Sequence, residues 1–218
     1  MFASMQIAQQ MTWHDENKTQ GVLRHSSDGQ AWKHFDRNHP SFASDPRNVR
    51  LGLCSYGFNP YIQASSSPYS CWLVIVTPYN LRPEMCMTKH YMFLTRLIPS
   101  PSNLKTSIDV YLEPLIDELN KVWSGIWKYD ISRKQSFLTR VALIWTIDDF
   151  PAYRMLSRWS THGRLAYSHC MKHIKSFTLN YGGKSCWFDC HRQFLPIVHP
   201  LKRNIRAFRK GEVDIINV

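Results

Sequence analysis

Nowhere in these 218 residues does an apolar run approach the roughly 20 residues needed to cross a bilayer. Met1 to Thr12 has no basic start followed by a long apolar stretch, which argues against a secretory leader. No segment repeats, and low complexity is confined to the short run Ser65-Ser66-Ser67. Acidic residues are scarce, 16 against 27 Lys and Arg, a formal net charge of +11. Closely paired cysteines are few as well. Cys54, Cys71, Cys86, Cys170, Cys186 and Cys190 are widely spread, and without secretion they read as thiols or metal ligands instead of disulfides. An intracellular protein is the expectation.

What is present argues for a folded chain. The hydrophobic share is 44%, with eight tryptophans, and the length suits one domain with a real core or one domain plus an appendage. The basic excess suits a polyanion, because each phosphate neutralised by Lys or Arg releases condensed counterion. A merely basic soluble surface is the competing reading of charge alone. An anionic membrane fits less well, since no basic amphipathic helix stands out. Nothing in the composition calls for a small-molecule substrate.

Residues 1–48 are polar and turn-rich, with a short helix possible at Asp28–His34, and read as an irregular N-terminal extension. Trp13, Trp32, Phe35 and Phe42 stand among His and Arg there, a pattern open to base stacking but more often to packing. From Val49 the texture becomes strand-like. Val49–Cys54 alternates and ends at Gly57 and Asn59-Pro60, Ser70–Thr77 is apolar enough to be buried on both faces, and Tyr91–Ile98 stops at Pro99. The three predict an antiparallel meander. The period then changes to about 3.6: Leu115, Ile116, Leu119, Val122, Trp123 and Ile126 share one helical face, with Pro114 at the first position. Phe137–Ile147 reads as a fourth strand, and a right-handed crossover through the helix would lay it parallel beside the first.

That strand runs into Asp148-Asp149-Phe150-Pro151 and a helix-like segment, Ala152–Trp159. The C-terminal ends of parallel strands are where α/β sheets carry their chemistry, so a carboxylate there can hold a divalent metal. An Asp before a first turn is also a common helix cap, and on position alone the cap is the commoner use.

Several strings carry a family resemblance: Trp32-Lys33-His34-Phe35-Asp36, Asp45 to Gly52, Gly57-Phe58-Asn59-Pro60 and Asp149-Phe150-Pro151-Ala152-Tyr153. Thr161-His162-Gly163-Arg164-Leu165-Ala166 and Trp187-Phe188-Asp189-Cys190-His191-Arg192 continue it. Together, over about Met11 to Lys210, the chain resembles the plant En/Spm (CACTA) DNA transposon transposases. The resemblance implies an RNase H-like α/β core of three antiparallel strands, a helix and a fourth strand, here incomplete. It also implies a nuclear protein with DNA as its partner. In such enzymes two aspartates and a glutamate hold two divalent ions, usually Mg²⁺, that activate the attacking oxygen and stabilise the leaving one.

Carried over residue by residue, the family's first aspartate falls on Tyr56, directly before the Gly-Phe-Asn-Pro turn. A phenol is neutral at pH 7 and a poor ligand for a hard cation. The second falls on Asp149. The third belongs on a later helix, and Glu212 and Asp214, the last acids, lie in no helix that the sequence reveals. The expectation is therefore a degenerate, truncated copy that binds no Mg²⁺ and does not cut DNA.

The resemblance also implies a Cys-x-x-Cys pair after Thr161–Ala166, but Tyr167 stands at its first position and only Cys170 remains. Cys170, Cys186, Cys190 and His191 form a possible zinc set within a Cys/His insertion over 161–200, with His169, His173 and His199 near them in sequence. Residues 201–218 form a basic tail in which Lys202, Arg203, Arg206, Arg209 and Lys210 can grip phosphate, serve as a nuclear import signal or simply remain solvated. Between these lies the partial core, 49–160. The expected protein is transposase-derived and inactive. The alternative is a non-catalytic DNA-binding protein that keeps the basic surface.

Overall fold

The computed structural model describes residues 1–18, 21–61, 70–100, 108–161, 163, 166, 176–178, 182–187, 195, 196 and 198–200. The chain divides into two units, Met1–Leu156 and Ser157–Val218. In the first, four short helices precede the sheet: α1 (Met5–Gln10), α2 (Trp13–Glu16), α3 (Gln30–Asn38) and α4 (Pro40–Ala43). There follow β1 (Val49–Phe58), β2 (Ser70–Pro78), β3 (Phe93–Ser100), α5 (Ile108–Ser124), β4 (Ile126–Asp130), β5 (Gln135–Thr139), β6 (Val141–Asp148) and α6 (Phe150–Ser157). In the second, β7 (Ser176–Thr178) pairs antiparallel with β8 (Ser185–Trp187).

The main sheet is mixed, in the order β3-β2-β1-β6. β1 and β2 run antiparallel from Leu51↔Pro78 to Phe58↔Cys71, and β3 continues the meander. β6 returns parallel to β1, from Val49↔Val141 to Ser55↔Asp148, with a bulge between Leu51 and Gly52. One sheet face carries Leu53, Trp72, Val74, Val76 and Ile98, and buries Ile108 and Leu112 of α5 and Ala152 of α6. Two glycines are required by close approach. A side chain at Gly57 would meet the Trp72 indole at 2.8 Å, and one at Gly52 would collide with Tyr79 and meet Trp145 at 2.8 Å.

The three antiparallel strands, the crossover helix and the parallel return are as the sequence predicts, but boundaries differ: β3 starts at Phe93 and runs through Pro99, which pairs with Cys71, to Ser100. α5 begins at Ile108, so Pro114 lies inside it and not at its first position. Burial of Ile108 and Leu112 extends the helix upstream. The carbonyl that Pro114 leaves without a helical donor belongs to Val110, an exposed residue where water can serve. The run Phe137–Ile147 is also not one strand. Gly125, at φ +105°, ends α5, and Ile126 starts a hairpin in which β4 pairs with β5 from Ile126↔Thr139 to Asp130↔Gln135. At Arg140 the chain changes sheets: its N–H donates to Asn48 Oδ1 at 2.7 Å and its carbonyl accepts from Val49 N at 2.8 Å.

The N-terminal stretch, read as irregular, is helical and contributes core. Phe2, Ala8 and Met11 pack with Val49, Leu51, Leu81 and Phe137. Trp32 and Phe42 are buried, so neither offers a ring to a base. Both lie against the guanidinium of Arg50, at 4.6 and 5.0 Å, and Arg50 itself is only 1% exposed. Arg50 Nη2 donates to Asp36 Oδ1 at 2.6 Å, joining α3 to β1. Asn80 completes the knot: its Oδ1 accepts from Arg50 N at 2.7 Å and its Nδ2 donates to Asn48 O at 2.8 Å.

Asp36→Ala leaves a buried guanidinium without its anion and should cost about 3 kcal/mol, less than a bare buried charge because the rings remain. Urea denaturation measures it, and a loss below about 1 kcal/mol would show that the pair is not structural. A pH effect comes from His14, buried at 3% exposure beside His25 and Trp32. Burial, helped by the Arg50 charge, lowers its pKa from 6.5 to about 4. The unfolded chain therefore binds the extra proton between these values. Stability should be full above pH 6.5 and fall by about 3 kcal/mol as the pH drops to 4. Burial lowers His25 in the same sense. A melting temperature that stays flat across that window contradicts a buried neutral His14.

Candidate functional site

Because β1 and β6 run parallel, their C-terminal ends lie together, and the last register pair there is Ser55↔Asp148. Tyr56 and Asp149 are each one residue further on. The structure thus brings side by side the two positions at which the resemblance expects the first and second aspartates. Alternation then separates the side chains. Ser55 and Asp148 share the face that carries Leu53, and Tyr56 turns to the other face with Cys54. Tyr56 is 51% exposed, its ring parallel to that of Phe58 at 6.3 Å between centroids and 10° between planes.

Asp149 leaves the strand as the cap of α6. Its Oδ1 accepts the Ala152 N–H at 2.8 Å and its carbonyl accepts the Tyr153 N–H at 2.8 Å. Since Ala152 is fully buried against the sheet, this cap also fixes how α6 sits. α6 begins at Phe150, two residues before the start read from sequence.

Asp148 is half-buried and differently placed. Its Oδ1 is buried with no hydrogen-bond partner, and so is the Ser55 hydroxyl beside it in register. Burial pushes the Asp148 carboxyl above the usual carboxylate range and the Asp149 charge adds to this, against hydrogen bonds from the Thr146 side chain and the Ser55 backbone. Burial likewise pushes the Cys54 thiol up, and the Asp148 and Asp149 charges push the same way. Such a thiol is a poor nucleophile at neutral pH.

Two Mg²⁺ ions would need several carboxylates facing one point. The described residues do not fit them: the first position holds an exposed phenol, one Asp149 oxygen is committed to a backbone cap, and Asp148 belongs to the core-facing side. Among the described residues no three His, Cys, Asp or Glu side chains cluster around a common point. The acids Glu212 and Asp214 lie outside the described residues, as do Cys170, Cys190, His191 and the basic set Lys202, Arg203, Arg206, Arg209 and Lys210. Cys186 is described in its backbone, at the centre of β8 opposite Phe177.

A family model described as transposase family tnp2 matches residues 20–215. The chain belongs to the tnp2 transposase family. No curated protein and no solved structure matches it. For a tnp2 transposase the basic excess has an evident partner, DNA. Among the described residues no helix is long and apolar enough to cross a membrane. Sequence reasoning singled out Asp149 and passed over the contrast with Asp148. The signal was available, since adjacent residues at a strand end cannot both face one point.

The two aspartates should respond oppositely to substitution. Asp149→Ala removes the cap and should cost about 1 kcal/mol in urea denaturation, while Asp149→Ser keeps most of it. Folded Asp148 holds its proton more tightly than the unfolded value of 3.8, so its ionisation above that pH costs stability. Asp148→Asn should therefore raise the melting temperature at neutral pH and change little in acid. A lower melting temperature at neutral pH would mean that the Asp148 charge is compensated.

Proposed function

We propose that this tnp2-family chain is a transposase-derived protein of a CACTA-type (En/Spm) DNA transposon that no longer cleaves DNA. Its ancestor carried out metal-dependent strand cleavage and transfer on an RNase H-like core. The β3-β2-β1-β6 order, with β6 returning parallel after α5, supports that fold. The observation that carries the loss of activity is Tyr56. It occupies the place beside the β6 terminus where the chemistry needs a carboxylate, and its exposed ring stacks toward Phe58. A metal pocket lacking that ligand forfeits most of its transition-state stabilisation. No bound Mg²⁺ is part of this reading, and the protein acts, if anywhere, in the nucleus.

A second reading is favoured by the +11 charge: a non-catalytic DNA-binding protein that keeps the parent's basic surface. Two assays separate the possibilities. Supercoiled plasmid with Mg²⁺ or Mn²⁺ should remain supercoiled, whereas nicking that disappears in Asp149→Ala would overturn the inactive reading. Gel shifts with linear duplex at two salt concentrations test the second reading. Binding that falls steeply with salt supports it, and no binding even at low salt removes it.

A further inference from the structure

The hairpin β4–β5 has two unlike faces. The inner face is anchored. Phe137 lies edge-on to Phe2 at 4.9 Å, and the Arg47 guanidinium sits 3.9 Å from its ring centre. Asp130, almost fully buried, accepts from Ser132 N at 2.9 Å and Ser132 Oγ at 2.6 Å, with Arg47 Nη1 at 3.7 Å. Ile131 N donates to Phe2 O at 3.2 Å. The hairpin is therefore a stiff projection.

Its outer face is apolar and open. Trp127 is 73% exposed and Tyr129 55%, and Leu138 opposite Trp127 is 39% exposed. Beyond Tyr129, at the turn of the hairpin, stand Arg133 and Lys134, both exposed, whereas the exposed Lys128 falls opposite Phe137 on the other face. The one acid between Ile126 and Thr139 is Asp130, which is buried and paired. A protein partner selected for an apolar face alone gives no account of a rim of one charge sign.

We infer that the β4–β5 hairpin is a binding surface for unpaired DNA, with Trp127 and Tyr129 as stacking platforms and Arg133 and Lys134 at its turn holding the phosphates. Rings two residues apart on a strand stand roughly 7 Å apart. That is about twice the 3.4 Å rise per nucleotide of a stacked duplex strand. Bases can use both rings only when splayed apart, which a single strand permits and an intact duplex does not. This inference rests on the DNA-binding reading above and adds a location and a strand state to it.

The test is fluorescence anisotropy of the full chain with a labelled mixed-sequence single strand and with the matching duplex, over a salt series. Trp127→Ala/Tyr129→Ala should weaken single-strand binding about tenfold to a hundredfold, leaving the salt slope and the duplex affinity unchanged. Trp127→Phe/Tyr129→Phe should restore most of the loss. Arg133→Ala/Lys134→Ala should reduce the single-strand slope by about 1.4. Circular dichroism verifies that the variants fold. Single-strand affinity indifferent to the alanine pair overturns this inference alone, provided the duplex still binds. Failure of both DNA forms at low salt overturns the DNA-binding reading with it. Alanine variants that change only self-association, measured by sedimentation, would assign the face to a second copy of the chain and overturn the proposal.

Discussion

A parallel strand pair puts its two C-terminal ends together, and the site depends on β6 lying parallel beside β1. The connection that makes this possible is long, comprising α5 and the β4–β5 hairpin, and both are tied down before β6 begins. α5 is tied by Ile108 and Leu112 against the sheet, and the hairpin by Phe137 and Asp130 against the entrance of β1. The register that results sets Ser55 against Asp148 and so places Tyr56 next to Asp149 along the strand ends. A one-residue slip would reverse which acid faces the core.

The start of β1 is held just as firmly from its other face. Arg50 brings a full charge into the interior, where Asp36, Trp32 and Phe42 compensate it and Asn80 fixes the backbone beside it. This ties the N-terminal helices to the strand that carries the site position. Removal of water from this knot also explains why His14 stays neutral well below its ordinary pKa.

The meander, the crossover helix and the parallel return were legible because each has a sharp period: two in Val49–Cys54, about 3.6 in Leu115–Val122 and an unbroken apolar run in Val141–Ile147. The hairpin was not. Ile126 continues the helical stripe, and Phe137 continues the apolar strand. The break at Gly125 depends on a backbone conformation, and the break at Arg140 on a hydrogen bond to Asn48, more than ninety residues away. The N-terminal helices are short, with few apolar residues each, and their stability comes from the sheet they meet. At the site, Asp148-Asp149 could be located from the sequence, and so could Tyr56, the position that the resemblance gives to the first aspartate. Which acid caps α6 and which keeps one buried oxygen without a partner required the third dimension.

At the junction of β1 and β6 the described residues offer too few carboxylates facing one point to hold a pair of divalent cations. Titration of the folded chain with Mn²⁺, followed by the loss of the free-ion electron paramagnetic resonance signal, tests it most directly. Binding should be weak, non-saturating and unaltered by Asp149→Asn. Saturable uptake of two ions per chain, abolished by that substitution, would contradict it.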